Sequence, residues 1–285
     1  MILNKAITSI DYCAGIVTYN PNIERLNQNV NELLKEFSQI VIVDNGSENF
    51  ETFKKDISKN ELIAFIRNDK NEGIAKALNQ IFVWAKQNKY AWVLTMDQDS
   101  ICSNGYLKEM IPYLEKKSTG IICPKIIYEG IDLVQESTGD FGLVDACMTS
   151  GSLTSVSAWE ICGGFDEWMF IDLVDNDFCM RLKLKNYIIV RVNSAILYHH
   201  LGNQKTVKLP FKRKIITFNH STFRNYYYVR NSLYFIRKYR RHSRTIHLIL
   251  VLIYWESIKL IFEKHRIKTF YSILRGIKDG LFAKI

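Results

Sequence analysis

The alternation of short apolar runs with helical patterns is the feature that most constrains the fold of this chain. Four runs within the first hundred residues are apolar, rich in β-branched side chains and bounded by polar residues: CAGIVTY, QIVIVD, LIAFIRN and AWVLTM. Between them, residues 20–37, 50–57 and 71–87 show apolar side chains at helical spacing. Strands alternating with helices predict an α/β fold with a largely parallel sheet, covered by helices and joined by right-handed crossovers.

Polar clusters follow three of these predicted strands at the point where each strand ends. The clusters are Thr18-Tyr19-Asn20, Asp44-Asn45-Gly46-Ser47 and Asp97-Gln98-Asp99. The carboxyl ends of parallel strands meet at one edge of a sheet, and ligands bind outside that edge. We therefore expect the three clusters to converge in space.

The third cluster places two carboxylates one residue apart. Asp97 and Asp99 repel each other unless a cation lies between them, and oxygen ligands of this kind suit Mg²⁺ or Mn²⁺. A solvated turn with two acids is the alternative, and it would be preferred for an isolated D-x-D. The buried strand before the pair and the polar clusters at the same edge favour the metal site.

After residue 100 the alternation loosens. TGIICPKIIY predicts a strand, and FGLVDACMTSGSLTSVSAWEICGGFDE predicts a strand, a Gly-Ser turn and a short helix ending at Gly163 and Gly164. MFIDLVDNDFCMRLKLKNY opens with three carboxylates and is predicted to continue as a helix. IIVRVNSAILYHH predicts a pair of strands that ends in His199 and His200, and helices are expected from Phe211 onward. We predict a catalytic domain at 1–204 and a basic helical C-terminal region at 205–285.

The two regions differ in net charge. Residues 205–285 carry 19 Lys and Arg and three acids, a net charge of +16, whereas residues 1–204 carry 19 bases and 26 acids, a net charge of −7. Basic helices with an apolar stripe can lie on an anionic membrane, bind nucleic acid, or pack on the catalytic domain with a basic outer face. We favour a combination of the first and third, because no recognisable nucleic-acid-binding module is present. The stripe is formed by Phe270, Ile273, Leu274, Ile277 and Leu281.

The remaining sequence features indicate in which cellular compartment the protein is expected. Six cysteines without a C-x-x-C pair predict buried, reduced thiols in a cytosolic protein. The N-terminus has no charged start followed by a long apolar run, so we expect no signal peptide. The apolar run HLILVLIYW is closed by Glu256 before it reaches the roughly 18 residues of a membrane-spanning helix. We expect a cytoplasmic protein, peripherally associated with the inner face of the plasma membrane.

Six motifs occur in order along the chain: VTYNP, IVDNGS, NEGIAKALN, MDQDS, GGFDEWMFIDLVDNDFCMRL and HHLG. Their order and spacing resemble family 2 glycosyltransferases. DQDS and FIDLVDNDFCMRL are most similar to the rhamnosyltransferases of bacterial polysaccharide assembly. The likeness covers roughly the first two hundred residues and extends into YYYVRN. Each motif alone is weakly specific, whereas six in order are strongly so.

The resemblance implies a GT-A type nucleotide-sugar-binding fold with a mixed, largely parallel central sheet. Residues 1–100 would form the nucleotide-sugar half and residues 101–204 the acceptor half. It further implies an inverting, metal-dependent transfer of a sugar onto a glycan acceptor, with L-rhamnose from dTDP-L-rhamnose the favoured donor. The acceptor would be lipid-linked, in the synthesis of a bacterial cell-surface polysaccharide such as O-antigen. A metal would neutralise the leaving diphosphate and one carboxylate would take the acceptor's proton, without a second carboxylate as nucleophile.

Three alternatives remain open. The first is a family 2 enzyme that uses another nucleotide sugar, such as a UDP-sugar. The second is a nucleotidyltransferase, which would want a glycine-rich, basic phosphate loop that TYNPNIERL lacks. The third is a non-catalytic protein that binds membrane or nucleic acid, which would not need Asp97, Asp99 and Asp175 together.

The resemblance also assigns roles to single positions. Those implied in nucleotide-sugar binding are Thr18, Asp44, Asn71, Asp97 and Arg230. Those implied in binding Mg²⁺ or Mn²⁺ are Asp99, supported by Asp97, and one of His199 and His200. Asp175 matches the general base; Val174 replaces the Glu of the more usual Glu-Asp pair, so Asp172 is a candidate assistant.

Simpler structural roles compete for several polar residues. Asp177 and Arg181 have the spacing of a helical ion pair, and Asn79 is expected to bond to backbone. Asp166 is either a helix cap or turn residue or, as the resemblance implies, part of the loop near the acceptor. Arg230 with Asn231 is either a solvated helix face or a contact to the donor phosphate or the acceptor, with equal weight.

Overall fold

A computed structural model describes residues 12–57, 60–128, 139–199, 205–208, 214–217, 221–262 and 265–285. The chain divides into two compact units. The first comprises Met1–Trp168 and Val174–His200, and the second comprises Met169–Leu173 and Leu201–Ile285. The short segment Met169–Leu173 therefore belongs with the C-terminal helices, although the residues on either side of it belong to the first unit.

The first hundred residues form the predicted strand and helix alternation. The strands are β1 (Tyr12–Thr18), β2 (Ile40–Asp44), β3 (Ile63–Arg67) and β4 (Trp92–Asp97), and the helices are α1 (Ile23–Leu34), α2 (Phe50–Ile57) and α3 (Ile74–Gln87). The strands pair in parallel in the order β3-β2-β1-β4. The prediction of a parallel sheet is confirmed for this part of the chain.

Burial explains why these segments are continuous apolar runs. Every residue of β1 and β2 is buried, as expected for parallel strands covered on both faces. The N-cap of α1 is Asn22, whose side chain accepts a hydrogen bond from the Arg25 amide. Gly15 of β1 lies so close to α3 that a Cβ atom there would be 2.4 Å from Ile81 Cγ2, so β1 needs glycine at this point.

The second half of the first unit extends the same sheet. Its elements are β5 (Ile101–Cys102), α4 (Tyr106–Met110), β6 (Thr119–Tyr128), β7 (Phe141–Val144), β8 (Ser152–Ser155), α5 (Val156–Ile161), α6 (Val174–Leu184) and β9 (Ile188–His199). The order continues from β4 as β8-β6-β9-β5, with β7 paired to β9. Strand β8 is antiparallel to β4 and to β6, so the sheet is mixed, as predicted.

The sequence prediction was wrong at one strand of this half. The expected strand pair in IIVRVNSAILYHH is the single strand β9, parallel to β6. The register between β6 and β9 shifts between Pro124 and Lys125. A proline has no amide hydrogen to donate, so an irregularity at this point bends the strand without ending it.

The second unit contains a small hairpin and three helices. These are β10 (Lys205–Lys208), β11 (Lys214–Thr217), α7 (Thr222–Lys238), α8 (Thr245–Phe262) and α9 (Arg266–Phe282). The prediction of helices from Phe211 onward is wrong at β11, whose KIIT sequence favours a strand, and is confirmed for α7 to α9. Gly280 brings α9 against α7, since a Cβ atom there would lie 2.5 Å from the Arg230 carbonyl oxygen.

Helix α8 bears on the expectation that no segment of the chain spans a membrane. It has 18 residues and a mean hydropathy of 1.7, so by length and composition it could cross a membrane, and 22% of its residues are buried. The expectation that the segment ends at Glu256 is wrong, because the helix continues to Phe262. The prediction of free thiols is confirmed, although Cys147 and Cys162 are only half-buried.

Candidate active site

The three predicted polar clusters converge at the carboxyl edge of the parallel strands. In the register of the sheet Thr18 lies opposite Asp44, and Val17 lies opposite Asp97. Thr18 Oγ1 donates to Asp44 Oδ1 at 3.0 Å, and the Ser47 amide donates to Asp44 Oδ2 at 2.9 Å. Thr18 and Asp44 are both fully buried. The pair therefore fixes the turn after β2, and the role of both residues in binding a nucleotide stays a prediction.

Asn71 belongs to a network of amide side chains beside this turn. Its Oδ1 accepts from Asn45 Nδ2 and from the Gly73 amide, each at 3.0 Å. Asn45 Oδ1 accepts from Asn68 Nδ2 at 3.1 Å and from the Glu72 amide at 3.0 Å. These bonds fix the loop that enters α3 at the ligand edge. Sequence reasoning placed Asn45 in the second polar cluster but missed Asn68, which is the last residue of the predicted strand LIAFIRN.

Asp97, Asp99 and His199 form a cluster that can hold a metal ion. One ligand atom from each side chain lies within 4.8 Å of the others. The antiparallel pairing of β5 with β9, in which Ile101 lies opposite Tyr198, brings His199 to the two carboxylates. Two carboxylates and an imidazole form a donor set that fits a divalent cation. The structure thus brings the predicted metal-binding residues together, except that His200 lies outside the described residues.

A chain of hydroxyl groups connects the two ends of this cluster. Ser100 is fully buried, and its Oγ lies 2.9 Å from His199 Nδ1. Ser150 Oγ donates to Ser100 Oγ at 3.1 Å and accepts from the Asp97 amide at 3.0 Å. Hydrogen bonds of this kind orient metal ligands. Sequence reasoning gave Ser150 no role, because a lone serine in a turn carries no pattern that identifies it.

The backbone of the D-Q-D turn is held by α1 and by the end of β1. Asn29 Nδ2 donates to the Asp97 carbonyl, and Arg25 Nε donates to the Asp99 carbonyl, each at 2.8 Å. Gln98 Oε1 accepts from the Tyr19 amide at 2.8 Å. Three hydrogen bonds, from Asn29, Arg25 and the Tyr19 amide, therefore fix the turn and preorganise the two carboxylates that it carries.

Asp175 lies at a cavity in the second half of the first unit. It occupies the first turn of α6, is half-buried, and accepts a hydrogen bond from the Asn176 amide at 2.8 Å. The cavity has a volume of about 310 Å³, and its other lining residues include Tyr128, Cys147 and Arg191. A hydrogen bond with the Cys123 thiol, together with burial, raises the pKa of Cys147, so this thiol is neutral at pH 7. The wall beside the carboxylate is therefore largely uncharged except at Arg191.

The simpler structural roles are confirmed at two places. Arg181 forms an ion pair with the fully buried Asp177 at 2.7 Å and donates to the Cys162 carbonyl at 2.6 Å. Asn79 bonds to both backbone groups of Phe165, as acceptor at 2.7 Å and as donor at 3.0 Å. Asp166 Oδ1 accepts from the Trp168 amide at 3.2 Å, as expected for a cap or turn residue, and its place near the acceptor stays a prediction.

Asp172 and Arg230 lie in the second unit. Arg224 on α7 forms an ion pair with the Asp172 carboxylate at 2.9 Å. Arg230 is buried, and its guanidinium donates to the Met169 carbonyl and to Asn231 Oδ1. Burial lowers the pKa of Arg230, which is otherwise that of a permanently charged group. The solvated-face alternative for Arg230 and Asn231 is wrong, and the proposed catalytic and donor-binding roles of Asp172 and Arg230 stay predictions.

Comparison with solved structures identifies the fold. The chain superposes on the crystal structure of S. aureus TarS 1–349 in complex with UDP-GlcNAc with a TM-score of 0.60 and 16% identity, covering 95% of this chain and 80% of that one. It superposes on GalNAc-T7, crystallised with UDP, GalNAc and Mn²⁺, with a TM-score of 0.60 and 15% identity. That match covers 79% of this chain but only 47% of GalNAc-T7. At these identities the likeness shows the fold alone, which is the predicted GT-A type.

Sequence comparison identifies the family. The family model "Glycosyl transferase family 2" matches residues 13–163, which contain β1 to β4 and the D-Q-D turn. The chain is 32% identical over 243 residues to a dTDP-rhamnosyl transferase, RfbF, of Shigella flexneri, and the match covers 79% of each chain. A GT-A fold, two carboxylates and a histidine at its ligand edge, and these two matches lead to one conclusion: the chain is a glycosyltransferase that belongs to glycosyl transferase family 2.

Proposed function

We propose that the chain transfers L-rhamnose from dTDP-L-rhamnose to a glycan acceptor with inversion at the anomeric carbon. The observation that carries the donor proposal is the 32% identity to the Shigella dTDP-rhamnosyl transferase over 79% of both chains. A UDP-sugar is the second candidate, because TarS, which shares the fold, was crystallised with UDP-GlcNAc. The two donors differ in base and sugar, so they can be separated by measurement.

The donor would bind at the carboxyl edge of β1, β2 and β4. Thr18, Asp44, Asn71 and Asp97 are the proposed contacts to the nucleotide sugar, and their hydrogen bonds already order this edge. Mg²⁺ or Mn²⁺ held by Asp97, Asp99 and His199 would stabilise the negative charge of the leaving nucleoside diphosphate. Because Ser100 engages Nδ1 of His199, we assign Nε2 to the ion.

The acceptor sugar would bind in the 310 Å³ cavity beside Asp175. Asp175 takes the proton from the acceptor hydroxyl as its oxygen forms a bond to the anomeric carbon. The bond from that carbon to the diphosphate oxygen breaks in the same displacement and leaves dTDP. Because no covalent sugar–enzyme intermediate forms, the configuration inverts. Asp172 lies three residues before Asp175 and is proposed as an assistant only through its effect on the position of this helix.

The acceptor is proposed to be a lipid-linked glycan at the cytoplasmic face of the plasma membrane, in cell-surface polysaccharide synthesis. The charge of +16 over residues 205–285 supports a membrane location, because anionic lipids attract basic surfaces.

A donor screen tests the proposal. The purified chain is incubated with Mn²⁺ or Mg²⁺ and with dTDP-rhamnose, UDP-GlcNAc, UDP-glucose or GDP-mannose, and release of the nucleoside diphosphate is measured. We expect release from dTDP-rhamnose that EDTA abolishes and that either cation restores. Release from a UDP-sugar alone would select the second candidate. Absence of release and of thermal stabilisation by any donor would favour a non-catalytic binding protein.

A further inference from the structure

Helix α8 buries its two charged side chains and exposes many of its apolar ones. Glu256 and Lys259 are only 6% and 9% exposed, and Lys259 Nζ donates to Glu256 Oε1 and to Asn225 Oδ1 of α7, each at 2.6 Å. Most exposed positions of the same helix are apolar, namely Ile246, Ile249, Leu250, Ile253, Tyr254 and Ile261; His247 and Ser257 are the polar ones. A helix that faces water shows the opposite arrangement, with its charges outward.

Helix α9 adds a second exposed apolar stripe. Its packed positions Thr269, Ile273, Gly276 and Gly280 face the other helices of the unit. Its outward apolar positions recur at helical spacing: Ile267, Phe270, Tyr271, Leu274, Ile277 and Leu281. We call the outward apolar positions of α8 and α9 together the docking surface. Large apolar side chains exposed in numbers on neighbouring helices are typical of contacts with a partner or a membrane.

The charges around the docking surface indicate which partner it fits. Exposed bases precede α8 and are spread along α9: Arg240, Arg241, Arg244, Arg266, Lys268, Arg275 and Lys278. The two acids in the described part of α8 and α9 balance few of these bases. Glu256 is buried and pairs with Lys259, and Asp279 accepts from Tyr226 at 2.6 Å and pairs with one of the bases, Arg275, at 3.8 Å. A second copy of this chain would bring like charges together, whereas anionic lipid headgroups would compensate them.

We propose that the docking surface lies in the plane of an anionic bilayer, with its apolar side chains at the acyl boundary and its Lys and Arg side chains among the headgroups. Packing of α8 on α7 through the Glu256–Lys259 pair favours this orientation over a helix that crosses the membrane alone. The inference deepens the proposed function by naming the surface that would meet a lipid-linked acceptor. Docking itself does not depend on the identity of the donor.

Vesicle binding by the full chain tests this inference. We compare wild type with Leu250→Glu/Ile253→Glu and with a control, Val83→Glu/Leu184→Glu, which changes two apolar positions of similar exposure in the first unit. On phosphatidylcholine vesicles containing phosphatidylglycerol, the α8 variant should bind at least about tenfold more weakly than wild type and the control. Pure phosphatidylcholine vesicles should bind wild type weakly.

Several outcomes would overturn it. One is equal vesicle binding by both variants, and another is a wild-type dimer that the α8 variant dissociates without any vesicle binding. Resistance of bound protein to alkaline carbonate would show a crossing helix instead. Unchanged melting temperature and lipid-free donor hydrolysis in the α8 variant would separate a docking defect from failure of the proposed function.

Discussion

Ser100 connects parts of the metal cluster that are 99 residues apart in the sequence, through its hydrogen bond to His199. We expect Ser100→Ala to weaken binding of Mn²⁺ by roughly 10- to 100-fold, because the imidazole loses the bond that orients it. A titration of the melting temperature with Mn²⁺ measures this, and a high Mn²⁺ concentration should restore activity. Ser103→Ala, which removes a 3.3 Å contact to the Ile196 amide, is the control. An unchanged Mn²⁺ dependence in Ser100→Ala would contradict the orienting role.

Asp99 is the carboxylate that we expect to matter most for the ion. Asp99→Ala should lower transfer by about a thousandfold or more, because charge stabilisation by a metal contributes several kcal/mol in the transition state. The folded state should persist, because Asp99 is only half-buried and because Arg25 donates to its backbone carbonyl, which the substitution keeps. Asp56→Asn, at an exposed acid of α2, serves as the control. Full activity of Asp99→Ala under chelation-free conditions would exclude it as a ligand.

The residue scale shows what the sequence could predict about the site. Asp97 and Asp99 were predictable because a strand, a sheet edge and a family pattern all placed them together. The bonds from Ser100 to His199 and to Ser150 were not, since they depend on the register of β5 on β9 and on the turn before β8. Asn231 carried a family pattern but no indication that its Nδ2 would lie 2.7, 2.7 and 3.0 Å from the carbonyl oxygens of Met169, Ile171 and Asp172, which are about 60 residues away in the sequence.

At the scale of elements, prediction succeeded where one local pattern determined the outcome. β1 to β4 were predictable because both faces of a parallel strand are apolar, and α1 to α3 because their apolar spacing is helical. β9 was predicted as a pair of strands, whereas pairing with β6 along its length keeps it as one strand. β11 was missed because its strand partner, β10, lies outside the local window in which a helix was expected.

The contact between α7 and α9 gives a prediction at this scale. Gly280→Ala should lower the free energy of unfolding by about 1–3 kcal/mol, because the new methyl group meets the Arg230 carbonyl, a backbone atom that cannot turn aside. Chemical denaturation measures the change. Gly142→Ala in β7 is the control, since a Cβ atom there has no neighbour within 4 Å. Equal stability of both variants would show that α9 shifts to accept the methyl group.

At the scale of the whole molecule, charge and apolar exposure are unevenly distributed. The first 204 residues have a net charge of −7, and the rest of the chain has +16. The sequence predicted the basic apolar stripe of α9, but not the inverted polarity of α8, because Glu256 and Lys259 look like surface residues until their mutual bond and that to Asn225 are seen. An apolar and basic surface on one part of a transferase suggests that substrate supply, and not only chemistry, depends on it.

Salt should therefore affect the enzyme differently according to its acceptor. With an acceptor embedded in anionic vesicles, we expect the transfer rate to fall steeply between low salt and about 0.5 M NaCl, because the Debye length shrinks from about 10 Å at 0.1 M to roughly 4 Å at 0.5 M and the attraction of basic residues to anionic headgroups is screened. With a water-soluble acceptor analogue the rate should change little, since salt would only weakly screen the cation of the proposed donor site and the short hydrogen bonds there. Parallel assays at matched Mn²⁺ measure both rates. If both acceptors lost activity equally with salt, the basic residues would act at the donor site, and the membrane would have no part in the salt effect.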